Sequence, residues 1–172
     1  MASVEPGGTI NLVTKIPLST PRREVTLSGG SFDTYRVTTD ITGPINKSKT
    51  LLFRLNGAYQ NAKSFRDKVN NDAFLISPSI SYIPNEKTSA NVELIINHLS
   101  GTLDRGQPIF GAVNGKTDLH STPKSLNLGS ASDFSKTKEV IITGSLAHHF
   151  NKNISFNASY MKQFWRENLQ EH

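Results

Sequence analysis

The chain has 172 residues, of which 35% are hydrophobic and 19% charged, and Lys and Arg exceed Asp and Glu by five. This length predicts one domain or a part of a larger one, and the composition excludes collagen, a coiled coil and a charged disordered tail. The absence of cysteine excludes disulfides and thiolate metal sites. No apolar run is long enough for a transmembrane helix, and residues 1–30 contain no recognisable signal peptide. A transmembrane β-barrel is still compatible, because its strands need apolar residues only at alternate positions.

The net charge of +5 does not indicate nucleic-acid binding. The basic residues are scattered along the chain, without a stacked aromatic platform or a recognition helix. We therefore expect no nucleic-acid partner and interpret the excess charge as solvated surface.

Alternation of apolar and polar residues recurs along the chain and predicts strands. Leu51, Phe53 and Leu55 share one face of the clearest example, and Arg54 and Asn56 share the other. We predict no helix and seven strands: Val25–Ser28, Tyr35–Thr42, Leu51–Asn61, Phe74–Tyr82, Ala90–Asn97, Val140–Phe150 and Ile154–Tyr160.

The connections between these strands alternate in length. Those at 43–49, 84–88 and 151–153 are short and turn-like, whereas those at 29–33, 61–72 and 100–138 are less uniform and include the longest connection. Short turns at one end and long loops at the other are typical of outer-membrane barrels, as are strands of about nine to twelve residues. A soluble β-sandwich remains an alternative, because alternation alone does not say which face meets water. Pro78, in mid-strand, is expected at a bulge or an edge.

The segment Glu5–Pro17, EPGGTINLVTKIP, resembles the end of the plug domain of TonB-dependent outer-membrane receptors. Residues 30–36, 55–59 and 76–82 look like the first barrel strands of that family, and Asp104–Pro108 resembles the start of the third extracellular loop in its siderophore-receptor branch. The motif residues at the plug end are Pro6, Gly7, Gly8, Ile10, Asn11, Val13, Thr14 and Lys15.

The resemblance implies a plug inside a 22-stranded barrel, an architecture known for outer-membrane transporters. Residues 1–17 would be the C-terminal end of the plug, and residues 18–172 the N-terminal part of the barrel, with a long extracellular loop over 100–138. We therefore expect an all-β fold: part of a transmembrane antiparallel β-barrel, with about seven strands in an open curved sheet. The chain would then be a fragment of a longer receptor.

The resemblance also implies the function. The complete receptor would import ferric siderophores by energy-coupled active transport in the outer membrane of a Gram-negative bacterium. Its partners would be outer-membrane lipid, the ferric siderophore and the TonB–ExbB–ExbD system, which would act through an N-terminal part outside this sequence. We expect a monomer when complete, no enzyme, and no cofactor, since the ferric chelate is cargo. The fragment alone is expected to be inactive.

Three alternatives remain at this stage. The first is a TonB-dependent importer of another cargo, a polysaccharide or vitamin B12, because the plug motif is shared among branches. The second is a passive porin or a structural β-barrel, which the plug-end motif disfavours. The third is a soluble β-sandwich binding module, which the long strands disfavour.

Candidate ligand contacts lie in the long loop. Arg105 could pair with an anionic ferric chelate, Gln107 could donate a hydrogen bond and Phe110 could stack on a flat ligand; alternatively, Asp104 pairs with Arg105 and Phe110 packs the base of the loop. Six polar residues on the strands would face the plug: Arg36, Asp40, Arg54, Asn56, Glu93 and Asn97.

No metal site is expected. His148 and His149 are adjacent on a predicted strand, so their side chains point to opposite faces and cannot chelate one ion together.

Overall fold

The computed structural model describes residues 13–104, 106, 123–127, 129–130 and 132–170. It contains one sheet of seven antiparallel strands in which each strand pairs with the next along the chain. The prediction of an all-β fold with an open sheet is thus confirmed. The strands are β1 (Arg22–Gly30), β2 (Thr34–Pro44), β3 (Leu51–Lys63), β4 (Asn70–Asn85), β5 (Thr88–Thr102), β6 (Phe134–His149) and β7 (Ser155–Gln170).

In the described part of the chain there is no helical segment that could serve as a transmembrane span.

The connections fall into two sets at opposite ends of the sheet. Loops 31–33, 64–69 and 103–133 join the strands at one end, and loops 45–50, 86–87 and 150–154 join them at the other. Side-chain amides stabilise two loops of the second set. Asn46 accepts the N–H of Leu51 (3.1 Å), and Asn151 accepts the N–H groups of Asn153 and Ile154 (2.9 Å each). Such local bonds from Asn favour tight turns.

Burial in this sheet is the inverse of a soluble core. Among the described residues, Leu52 is the one buried aliphatic side chain, whereas the buried polar set includes charged residues. We call the face that carries the buried polar residues the polar face, and the opposite one the apolar face. The polar face includes Asp40, Thr42, Arg54, Ser77, Ser79, Ser81 and Glu93.

The apolar face carries large hydrophobic side chains that are exposed. Val25, Tyr35 and Tyr59 belong to β1, β2 and β3, and the pattern continues through β7 with Phe156 and Tyr160. A soluble β-sandwich would cover this face with a second sheet, and the described residues form a single sheet. The sandwich alternative is therefore wrong for this part of the chain.

The strands are longer than predicted, and the long loop is correspondingly shorter. β4, β6 and β7 each have 16 residues, and β7 continues to Gln170, although we expected its strand to end near Tyr160. The loop predicted at 100–138 begins after Thr102 and ends before Phe134, because these two residues pair across β5 and β6. The strands are longer because backbone pairing with a neighbouring strand continues through residues that no longer alternate between apolar and polar.

Pro78 lies neither at a bulge nor at an edge, so this expectation was wrong. It belongs to β4, which lies between β3 and β5, and it pairs with Leu55. The ladder with β5 is interrupted over Ser77 and Pro78 but keeps its register, and the irregularity in β4 occurs later, between Tyr82 and Asn85. Proline lacks an N–H, so it removes one ladder bond, and the pairing with β3 keeps the strand in place.

Two strand glycines differ in the space around them and provide a stability test. A Cβ on Gly101 would lie 2.9 Å from the backbone oxygen of Asn70, whereas nothing lies within 4 Å of a Cβ on Gly144. We expect Gly101→Ala to lower the free energy of unfolding by about 1–3 kcal/mol, because backbone must move, and Gly144→Ala to leave it unchanged or slightly raised. Urea unfolding of the purified protein measures both changes. Equal losses would contradict the assigned register.

Candidate functional site

The six polar residues expected to face a plug all lie on the polar face. The strand register places Asp40 opposite Asn56, and Thr42 opposite Arg54. It also places Glu93 opposite Ser79, and Asn97 opposite Leu75. Arg36 lies on the same face nearer the end with the long loops, where it donates a hydrogen bond to Gln60 (2.9 Å).

Residues 13–18, which we call the crossing segment, lie outside the strands and bind to the polar face. Thr14 donates its hydroxyl to Glu93 Oε2 (2.7 Å), and the ammonium group of Lys15 lies 3.0 Å from Asp40 Oδ2. The N–H of Leu18 donates to the hydroxyl of Thr42 (2.9 Å). These bonds connect the segment to strands β2 and β5, so it crosses several strands of the sheet, which we call the wall.

A buried ion pair lies at the centre of this contact. Arg54 donates from Nε to Asp40 Oδ1 (2.8 Å) and from Nη2 to Oδ2 (2.7 Å), in a forked geometry. The side chains are 6% and 9% exposed. The third nitrogen, Nη1, donates to the backbone oxygen of Ile16 (2.7 Å). One guanidinium group therefore joins two strands and the crossing segment.

Glu93 forms a second connection. Its Oε1 accepts a hydrogen bond from Ser77 (3.0 Å) while its Oε2 accepts the bond from Thr14. Both oxygens of this buried carboxylate are therefore bonded to hydroxyl groups, one from the wall and one from the segment. Hydrogen bonds of this kind reduce the cost of burying a charge.

The space between the crossing segment and the wall is a cavity of about 410 Å³, lined by both polar and apolar side chains. Val13, Thr14 and Lys15 form one side, and Asn56 and Ser77 contribute to the other. The sequence had indicated Asn56 but not Thr42 or Ser77, which bind the segment and its partner Glu93. Thr42 and Ser77 lie at alternate strand positions on the same face as Asp40 and Glu93. This alternation in the sequence could have identified them as residues of the polar face.

Other predicted site residues fall outside the described ranges. Arg105, Gln107 and Phe110, the candidate ligand contacts, are among them, so their role stays a prediction. The motif residues Pro6, Gly7, Gly8, Ile10 and Asn11 also lie outside the described residues.

His148 and His149 are the last two residues of β6, so their side chains point to opposite faces of the sheet. His148 pairs through Nδ1 with the hydroxyl of Thr88 (2.9 Å) and packs its ring against Phe150. Among the described residues, no group of three His, Asp or Glu side chains could hold a metal ion.

No protein-family model matches the chain, but individual relatives do. The chain is 35% identical over 160 residues to the metal-pseudopaline receptor CntO of Pseudomonas aeruginosa. The aligned region covers 92% of this chain and 22% of that receptor. It is 22% identical over 150 residues to the ferrichrome outer membrane transporter/phage receptor of Escherichia coli, covering 85% and 20%.

Two solved structures share the fold at 22% identity. The ferripyoverdine receptor of the outer membrane of P. aeruginosa matches with a TM-score of 0.83, over 94% of this chain and 22% of that one. The ferric-catecholate import receptor Fiu of E. coli, in its closed form, gives the same TM-score over 94% of this chain and 24% of that one.

These relatives and structural neighbours are TonB-dependent siderophore receptors. The structural matches show that its seven strands have the fold of the receptors' β-barrel. The relatives are outer-membrane receptors and transporters, which confirms the prediction that the chain is not an enzyme. The chain spans about a fifth of the length of these relatives.

The buried pair between Arg54 and Asp40 gives a charge test with an internal control. Asp40→Asn removes the carboxylate that faces both Arg54 and Lys15, so we expect a loss of about 3–5 kcal/mol in the free energy of unfolding. Glu24→Gln breaks the ion pair with Arg22, in which both side chains are exposed, and should leave the free energy of unfolding nearly unchanged. Urea midpoints of the purified protein compare the two variants, and similar losses would show that the Asp40 pair does not anchor the wall.

Proposed function

We propose that the chain forms part of the barrel wall of an outer-membrane importer of ferric siderophores or related metal chelates. The observation that carries this proposal is the crossing segment bound to the polar face by Arg54, Asp40 and Glu93. A wall with a polar inner face, a segment bound across it and an exposed apolar outer face suits a plugged barrel in lipid.

In this proposal residues 1–17 are the C-terminal end of the plug and residues 18–172 the first part of the barrel. Two observations support this division. The crossing segment forms its hydrogen bonds to the polar face through residues 14–18, and β1 begins at Arg22. Exposed Tyr and Phe side chains, among them Tyr59, Tyr82, Phe150 and Phe164, would meet the membrane interfaces.

The cargo class rests on the relatives. Their names refer to metal-pseudopaline, ferrichrome and ferripyoverdine, which favours a metal chelate over the polysaccharide and vitamin B12 alternatives. A passive porin is disfavoured, because the crossing segment occupies the side of the wall that a pore would leave open. The energy would come from the TonB–ExbB–ExbD system through the preceding part of the plug, and the complete receptor would be a monomer in outer-membrane lipid.

The end of the sheet with the long loops would face the cell exterior. Arg105, Gln107 and Phe110 would contact the chelate there, since an arginine fork suits the anionic oxygens of a ferric complex. The ferric chelate is cargo, so no resident cofactor is proposed.

Uptake by intact cells tests this function. We expect the gene, with its flanking sequence, to restore uptake of radioactive iron supplied as a ferric trihydroxamate, tricatecholate or pyoverdine-type complex to a Gram-negative host that lacks its own receptors. Uptake should disappear when TonB is deleted or the proton-motive force is dissipated. Uptake that persists without TonB would support a passive pore instead, and no uptake of any of the three complexes would contradict the proposed cargo class.

The 172-residue chain on its own should neither transport nor bind such complexes tightly. Among the described residues, strands β1 and β7 each pair on one side only, so the isolated sheet has two open edges, which are unfavourable in lipid and promote aggregation in water. Equilibrium binding of the same three complexes to the purified chain measures this. A dissociation constant in the micromolar range or below would overturn the expectation.

A further inference from the structure

Arg66 joins two loops at the end of the sheet with the long connections. It lies in loop 64–69, between β3 and β4, and its Nη1 is 3.0 Å from Asp104 Oδ1. Its Nη2 donates to the backbone oxygen of Leu126 (3.2 Å). Asp104 is the second residue after β5, whereas Leu126 lies on the part of loop 103–133 that returns toward β6. A single guanidinium group therefore holds both limbs of the longest loop.

The contact is partly buried and supported on both sides. The Arg66 and Asp104 side chains are 14% and 23% exposed, unlike the exposed pair between Lys63 and Asp33 in the neighbouring turn. The N–H of Asp67 donates to the backbone oxygen of Ser125 (2.8 Å), next to the Leu126 contact. Removal from water strengthens such bonds relative to exposed pairs.

The base of the long loop is attached to the same neighbour. Thr102, the last residue of β5, donates its hydroxyl to the backbone oxygen of Lys68 (2.8 Å). The N–H of Leu103 donates to the backbone oxygen of Asp133, which closes the loop just before β6 (3.3 Å). Loop 64–69 therefore contacts the long loop at its start, at Asp104 and at its returning limb.

We propose that Arg66 is a positioning residue that holds Asp104 and Leu126, on the two described ends of loop 103–133, against loop 64–69 and so determines the affinity of the receptor for its chelate. Bringing the two ends of a long loop together costs conformational entropy, and paying that cost when cargo binds would reduce affinity. Arg66 holds the two limbs together before cargo arrives. This step rests on the proposed function, whereas the attachment of the two loops does not.

The geometry requires arginine. Its planar group directs two different nitrogens to Asp104 and to the backbone oxygen of Leu126. A lysine ammonium keeps the charge but is a single centre on a flexible stem. Arg66→Lys should therefore be intermediate between the unsubstituted protein and Arg66→Ala.

Proteolysis tests the attachment without any cargo. Lys124 precedes Ser125 and Leu126 and is a trypsin cleavage point in the returning limb. In outer membranes that contain the whole receptor, Arg66→Ala should increase the rate of cleavage after Lys124 about tenfold, as expected for loss of a partly buried ion pair and a backbone bond. Lys63→Ala, which removes the exposed pair with Asp33, should leave that rate unchanged. Equal rates for Arg66→Ala and the unsubstituted receptor would overturn the proposal.

Uptake kinetics test the consequence for cargo. With the ferric complex that the unsubstituted receptor imports best, Arg66→Ala should raise the concentration for half-maximal uptake about tenfold and change the maximal rate less than twofold, since ordering of the loop weakens binding and leaves the transport step intact. The amount of receptor in the membrane, and its heat-modifiable mobility on gels (unheated against heated samples), control for expression and folding. Faster cleavage with an unchanged half-maximal concentration would overturn the role in affinity. If the unsubstituted receptor imports none of the complexes, the proposed function fails, while the proteolysis still decides whether Arg66 holds the loops.

Discussion

The structure depends on the buried pair between Arg54 and Asp40. A polar inner face can be packed only if its charges are matched, because an unpaired buried charge is costly. Arg54 meets this constraint by binding both oxygens of Asp40, and its remaining nitrogen binds the backbone of Ile16. Lys15 adds a second cation to the same carboxylate. The wall and the crossing segment are therefore stabilised by one group of charges. The hydrogen bonds of this group are complete only when the segment lies on the wall.

The same constraint explains why the sheet is arranged inside out. Once the charged residues occupy the face that binds the crossing segment, the alternate positions must be apolar, and their side chains lie exposed on the opposite face. Lipid is the surrounding in which such a face is stable. The polar face, the crossing segment bound to it and the exposed apolar face then follow from a single alternation in the sequence.

Much of this fold could be predicted from the sequence, but not the contacts that connect distant parts of it. The alternation from Leu51 to Asn61 was sufficient to predict β3 and the residues that share its faces, because a strand has a period of two. The end of β7 was missed, because residues 161–170 mix Lys, Trp and Arg without a clean alternation. The bond between Thr14 and Glu93 joins residues 79 positions apart, and Arg66 reaches Leu126 across 60 positions. Such pairs depend on the register of every intervening strand, which local patterns do not specify.

Hydrogen exchange of the crossing segment, followed in the whole receptor in detergent, tests the account most directly. If Arg54, Asp40 and Glu93 hold the segment on the wall, the amide of Leu18, which donates to Thr42, should exchange as slowly as amides within β2, and Arg54→Lys should accelerate it strongly. Exchange of Leu18 as fast as that of the exposed turn at 86–87 in the unsubstituted receptor would contradict the account, because the segment would then not be anchored to the polar face.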